Sequence, residues 1–319
     1  MPENSISKIP AEVFRDYIIE KLRRTNPFLK FAVDESKFVL GGAVVHIPQA
    51  GSSPTVVKNR KQFPASAVRR EDSFVSFPLN VFTTDPTHIT WHESNEVSYS
   101  KQDSVLNDHT STLLEAVGDD SIFSWLQGYK GEGKTLDVIP SSNVFRTSGD
   151  PRDVIEEGQT GKRKMLTCKD VRKLASKFNK MNVESQGRYL LLESTMYDEL
   201  IDSLSQNQLA AFQGAADIKS GVCGELYGFK IMQRSIVCNF TAAGVPIAPG
   251  EALQADSCVG GIAWQEECVA ISLGDIVAFQ NIGDPTYYGN ILSSLVKAGG
   301  RCRRADWAGV AAIVEGIAE

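Results

Sequence analysis

The stretch from Val44 to His92 limits what this chain can fold into more than any other part. It opens as a strand, VVHIP, and passes into AGSSPTVVKNRKQFPASAVRRED, rich in turn formers and carrying the cations Lys58, Arg60, Lys61, Arg69 and Arg70. SFVSFPLNVFTT then alternates apolar and polar residues, Pro86 interrupts, and HITWHE resumes the extended pattern. A period of two predicts strands. Pro48, Pro54, Pro64 and Pro78 cannot donate ladder hydrogen bonds, which denies these strands a central place in a sheet. Two long strands joined by a broad Pro/Gly/Ser-rich tip are expected. An isolated two-stranded hairpin is marginal in water, so this arm needs a surface to lie on. That surface is either a partner or the chain's own domain, with the arm folded back as an edge hairpin.

The flanking sequence predicts an α+β protein. A helix is expected from Ala11 to Arg24, with Pro10 suiting its first turn and Val13, Phe14, Tyr17, Ile18 and Leu22 on one face. Such a short helix docks on its own core or on a neighbour. Ser100–Val117 reads as a second helix, with a Ser100/Asp103 cap and a stop at Gly118, and SIFSWLQ as a short continuation capped by Asp119. Thr167–Met181 is the clearest helix. Thr167 and Asp170 form its cap, Val171, Leu174, Ala175, Phe178 and Met181 repeat at three and four residues, and Lys169, Arg172, Lys173, Lys177 and Lys180 form the opposite face. RYLLLES predicts a buried strand, Thr195–Leu204 a helix, and GELYGFKIMQRSIV a strand preceded by a glycine turn. GGIAWQ, CVAISL, DIVAFQNI and WAGVAAIVEG predict further strands, with Asn290–Ala298 as a short helix between them.

Charge and composition exclude some functions. The 319 residues are 42% hydrophobic, enough for a substantial core. The net charge of −6 argues against a protein that coats nucleic acid through phosphate contacts. No apolar run approaches the roughly 18 residues of a membrane span, and MPENSISKIPAEVF lacks the layout of a signal peptide, so synthesis in the cytoplasm is expected. Cys168, Cys223, Cys238, Cys258, Cys268 and Cys302 include no C-x-x-C pair and are expected to be free, mostly buried thiols.

Several motifs imitate chemical sites. GYKGEGKT, Gly128–Thr135, matches the phosphate-cradling loop letter for letter. That loop needs a strand before it and a helix after it, whereas SIFSWLQ reads helical and TLDVIP extended. His88 and His92 are four apart with Glu93 following, but THITWHE reads as a strand, which is wrong for a zinc pair on a helix. His46 and His109 have no ligand-spaced partner. Asp119–Asp120 and Glu266–Glu267 are adjacent in sequence, so each pair points apart. No nucleophile elbow is present. The basic clusters Lys58–Arg70 and Lys162–Lys180 admit three readings: nucleic-acid contact, salt bridges to an acidic neighbour, or a solvated face.

The order of these parts carries a resemblance. VVHIPQAG opens the arm, SFPLNVFTTDPTHITWHE returns, LNDHTSTLLEAVGDD forms the long helix, and GELYGFKIMQRSIV follows the mixed region. This resembles the major capsid proteins of tailed bacteriophages, the Hong Kong 97-like fold. The resemblance implies an N-terminal arm over 1–42, an extended β-hairpin loop over 43–98, a spine helix of the peripheral domain over 99–127, an axial domain over 128–245 and returning peripheral strands over 246–319. It implies self-assembly into hexamers and pentamers of an icosahedral virion shell around double-stranded DNA, built in the host cytoplasm. The arm would cross the adjacent subunit, with Lys58, Arg60, Lys61, Arg69 and Arg70 at the inter-subunit contact. With the arm beginning almost at Met1, scaffolding is expected from a separate protein, beside a portal. No catalytic residue, cofactor or metal is implied. Some relatives crosslink through a loop lysine; Lys58 and Lys61 lie in that region, but no partner residue can be matched. The rival readings are an encapsulin-type nanocompartment shell, a virion tail or adaptor component, and a nucleotide-binding enzyme using Gly128–Thr135.

Overall fold

The computed structural model describes residues 11–39, 44–49, 51, 55–61, 63–64, 67, 69–91, 101–128, 137–154, 158–217 and 219–318. Its centre is a seven-stranded sheet. The strands run in the order Val222–Leu226, Phe229–Arg234, Arg188–Glu193, Cys258–Gln265, Val310–Val314 and Val144–Arg146, and Cys238–Phe240 also pairs with Cys258–Gln265. Every residue of Arg188–Glu193 and of Cys258–Gln265 is buried, as unbroken apolar runs require when both faces of a sheet are covered.

Helix α1 spans Ala11–Thr25, α2 Lys101–Leu126, α3 Cys168–Lys180, α4 Ser194–Asp202 and α5 Gln206–Gly214. One sheet face carries α3, α4 and α5: Leu174, Phe178, Met196, Leu200 and Phe212 pack with Leu190, Ile231 and Ile313. The other face carries α2, where Ile122, Trp125 and Leu126 join Leu191, Trp264 and Ala312 in a second core. Trp125 donates its ring N–H to the Ala270 carbonyl at 3.0 Å.

Helix α3 forms as its sequence predicts. The Thr167 hydroxyl and amide both bond the Asp170 carboxylate, and Asp170 also accepts the amide and hydroxyl of Ser148. Burial disfavours that carboxylate, but these donors and Lys173 outweigh it and hold its pKa below the usual range. Helix α1 docks on its own chain. Ile18 and Leu22 are buried, and Tyr17 and Lys21 bond Asn107 of α2.

Four expectations need correction. First, Gly118 does not stop a helix. α2 runs unbroken through it to Leu126, about 39 Å at 1.5 Å per residue. Gly118 is there because Asn26 lies against it: the Asn26 side-chain amide donates to the Leu114 carbonyl at 2.8 Å, and a Cβ on Gly118 would collide with the Asn26 side-chain oxygen. The Ser100/Asp103 cap falls outside the described residues.

Second, Asn290–Ala298 is not a helix. It belongs to the strand Gly289–Cys302, which pairs antiparallel with Val269–Asp284 in one long hairpin beside α2. Its alternating burial shows a two-sided strand whose partners, remote in sequence, override local pattern. Third, GELYGFKI turns inside itself. Tyr227 and Gly228 both take positive φ, 51° and 81°, and join Val222–Leu226 to Phe229–Arg234 as a hairpin. Fourth, the boundary expected between 245 and 246 cuts through the central sheet, because Cys258–Gln265 pairs with Arg188–Glu193 and Val310–Val314 with Cys258–Gln265.

Candidate functional site

The arm is the strongest candidate, and it divides into three parts. Its base is a hairpin of Val44–Gln49 and Ser73–Pro78. Val45, Ile47 and Phe77 turn one face inward against Leu79 and Ala270. The base is tied to the body at two points: Gln49 donates to the Arg303 carbonyl at 2.7 Å, and Arg301 donates to the Ser76 carbonyl at 2.7 Å. Beyond Leu79 the chain returns along the long hairpin, with Asn80–Thr83 and Thr87–Thr90 pairing with Gly289–Cys302. The second strand expected from sequence is therefore three, broken at Leu79 and near Pro86.

Base and return thus lie on the chain's own domain, while the tip does not. Val56 is 92% exposed, Val57 50% and Phe63 75%. Lys58, Arg60, Lys61, Arg69 and Arg70 are all exposed. Arg70 bonds Asp72 at 2.6 Å and Asp72 also accepts the Gly51 amide, which closes the neck of the tip. The hydrogen bond from Arg70 holds the Asp72 carboxyl below its usual range. Among the described residues the other four cations have no ion-pair partner.

The remaining motifs do not assemble a catalytic or metal site. Gly128 lies on a short strand with Gln127, directly after α2, and pairs with Asp137–Val138. A helix before and a strand after reverse the order a phosphate cradle needs; residues 129–136 fall outside the description. A Cβ on Gly128 would come 2.8 Å from the Arg301 guanidinium, so close packing accounts for this glycine. His46 and His88 are exposed on strands, His109 is buried on α2, and His92 and Glu93 are not described. No cluster of three or more His, Cys, Asp or Glu that could hold a metal occurs among the described residues. Asp119 and Asp120 point apart, to Arg234 and Asn80 respectively. Burial pushes the Asp120 carboxyl up. Four cysteines are buried, and burial pushes Cys238 and Cys302 up to about 12 and Cys268 to about 11, which keeps them as thiols. No described helix is long and apolar enough to cross a membrane. On α3, Lys169, Arg172, Lys173 and Lys180 form an exposed basic face.

One charged cluster has no signal in the sequence. Arg152 bridges Glu199 and Glu315, which are nine-tenths buried or more. Glu199 also accepts the Leu166 amide and Glu315 the Val259 amide. Burial pushes the Glu315 carboxyl up. Each of the four carboxylate oxygens accepts from a local donor, and the cluster fastens α4 and the last strands together. Partners 47 and 163 residues apart cannot be paired from sequence alone.

A long helix under a long hairpin, a separate mixed sheet with three helices, and a projecting two-stranded arm define the Hong Kong 97-like capsid fold. No protein-family model and no curated protein matches the sequence. Solved structures do. A capsid of Ralstonia phage GP4 superposes with a TM-score of 0.61 at 11% identity, over 91% of this chain and 88% of that one. A chain from Mycobacterium phage Che8 gives 0.58 at 16% identity, over 90% of each. The capsid of a native GTA particle gives 0.55 at 8% identity, over 98% and 94%.

Proposed function

We propose that this chain is the repeating subunit of an icosahedral virion shell, assembled as hexamers and pentamers around double-stranded DNA. The observation that carries the reading is the arm: a base buried on its own domain and a tip that offers to solvent apolar side chains and four cations with no ion-pair partner among the described residues. Scattered exposed apolar residues need no explanation, but Val56, Val57 and Phe63 on one projecting tip mark an interaction surface. The likeness to phage capsids in fold supports an identical neighbour as the partner.

In this reading residues 1–42 form the N-terminal arm, 43–98 the extended loop and 99–127 the spine. The central sheet with α3, α4 and α5 is the axial domain, and the long hairpin with α2 is the peripheral domain. Lys58, Arg60, Lys61 and Arg69 make inter-subunit contacts, while Arg70 shapes the neck. Scaffolding and portal proteins act as separate chains, and the reading needs no enzymatic activity. The net charge of −6 suits a container for DNA condensed by small cations better than a neutralising core protein.

Negative-stain electron microscopy of the purified protein tests this reading. Closed shells or capsomer rings are expected; a compact monomer under every condition overturns it. The particle contents then separate virion from nanocompartment, since DNA supports the first and a protein cargo the second.

A further inference from the structure

The outward face of α3 breaks the rules that an ordinary solvated helix obeys. Its exposed and half-buried positions carry Lys169, Arg172, Lys173, Lys177 and Lys180, and the others there are Cys168, Ser176 and Asn179. The one acid of the helix, Asp170, is buried and engaged with Thr167, Ser148 and Lys173. Lys169, Lys173 and Lys177 follow one another at four residues, and Lys169–Arg172 and Lys177–Lys180 are three apart. Like charges at these spacings face each other and weaken a helix. Lys169 also stands in the first turn, where the positive end of the helix dipole disfavours a cation.

Elsewhere in the body, cations are neutralised in place. Arg152 has Glu199 and Glu315, Arg234 has Asp119, Arg303 has Glu35 and Lys297 has Asp275. On α3 only Lys173 has an acidic partner among the described residues, Asp170 at 2.9 Å. Five cations against Asp170 give the helix a charge of +4 in a chain whose net charge is −6.

We infer that this face binds the phosphate backbone of double-stranded DNA without reading its sequence. The inference rests on the shell reading and names the surface that meets the packaged duplex. Composition selects the partner. Val171, Leu174, Ala175 and Phe178 are buried beneath the helix, so its outward face lacks the apolar core of a protein–protein interface, from which lysine is depleted. The face offers no aromatic ring on which an unpaired base could stack, as single-strand binders do. What remains is a row of ammonium groups and one guanidinium, the chemistry of sequence-independent phosphate contacts. Lys169 and Lys180 are eleven residues apart, roughly 17 Å at about 1.5 Å per residue. A duplex carries one charge per about 1.7 Å of axis, so about ten phosphate charges lie along that length. Phosphates seated between the cations offset the repulsion that the free helix bears. Five cations per chain hold a duplex without neutralising it, in keeping with the net charge of −6.

The test is binding of a labelled mixed-sequence DNA duplex to the purified full-length protein, followed by fluorescence anisotropy from low salt upward. Log affinity is expected to fall linearly with log salt, by about 0.9 per phosphate contact. Lys169→Gln with Lys180→Gln is expected to reduce that slope by roughly 2 and to weaken binding about tenfold or more at the lowest salt. Both side chains are exposed and glutamine is a good helix former, so the thermal unfolding midpoint should not fall. Lys30→Gln with Lys230→Gln removes the same charge from exposed positions off the face and is expected to leave the slope unchanged. Three results overturn the inference: no binding by the wild type, a slope that the α3 variant does not move, or tighter binding of polyglutamate than of the duplex, which would assign the face to an acidic protein. Microscopy of the same preparations keeps the two readings apart. Shells that close while the protein ignores the duplex overturn the role of α3 and leave the shell reading intact. A wild type that never assembles overturns the shell reading and the packaged-DNA assignment together.

Discussion

The arm tip and the central sheet domain obey opposite rules. In the sheet domain, side chains are fastened by two apolar layers and by ion pairs such as Arg152 with Glu199 and Glu315. At the tip, exposed valines and lysines meet no described partner. The first region specifies itself. The second is specified only by what it meets, because a hairpin without a covered face cannot offset its own ordering entropy. A chain built this way can fold its body alone and leave its tip available to a partner.

The largest expected effect separates the two regions outright. Deleting Gly51–Arg70 should abolish closed shells in electron micrographs while leaving the monomer's thermal unfolding nearly unchanged; a large fall in Tm would show that the tip also supports the body. The converse variant is Trp125→Ala. Trp125 is fully buried against Phe28 and Trp264, and removing it should cost about 3–5 kcal/mol in denaturant unfolding, with assembly lost only because folding is.

A sharper case is Gly118→Ala. An ordinary helical glycine gains about 1 kcal/mol on this change. Here the new Cβ would strike Asn26, so the variant should instead lose about 1–3 kcal/mol, as overpacking does. Asn26→Ala in the same chain should recover part of that loss. Equal stability of Gly118→Ala and wild type would mean that Asn26 moves aside freely.

Asp170→Asn should cost roughly 1 kcal/mol at neutral pH by weakening the cap of α3. The folded pKa of Asp170 lies below its usual value. Its contribution is therefore complete above the unfolded pKa of about 4, shrinks as pH falls below that, and vanishes below the folded value. Unfolding curves of the two proteins should converge in acid; a constant gap would assign the effect to another group. The smallest effect belongs to Arg70→Ala. Its exposed pair with Asp72 leaves monomer stability where it was, and any change should be confined to assembly yield.

Where the chain's own neighbours decide the structure, the sequence was readable. Helix α3 could be placed to within a residue, because its cap and its apolar stripe lie within one short stretch. The arm's extended character, its prolines and its break at Pro86 were equally visible. The Asp119/Asp120 divergence followed from spacing alone. The candidate surface was half legible: the cations could be named, but not that Arg70 is spent on Asp72, nor that an open cleft lies beside His109 between α2 and the returning strands. That cleft is made by Phe82, Asp85 and Leu113, which meet only after the arm has returned.

By itself, the sequence determined an α+β protein with a buried sheet, an amphipathic helix and an arm that cannot stand alone. Tertiary structure decided the rest. Asn290–Ala298 became a strand because Val269–Asp284 and the returning arm supply hydrogen bonds on both sides. Gly118 became an interior residue of a helix because Asn26 occupies the space of its missing side chain. The central sheet joined residues from 144 to 314 because both of its faces could be covered only when they were together. Local free energies are written along the chain, but pairing and close approach depend on partners whose distance in sequence carries no signal.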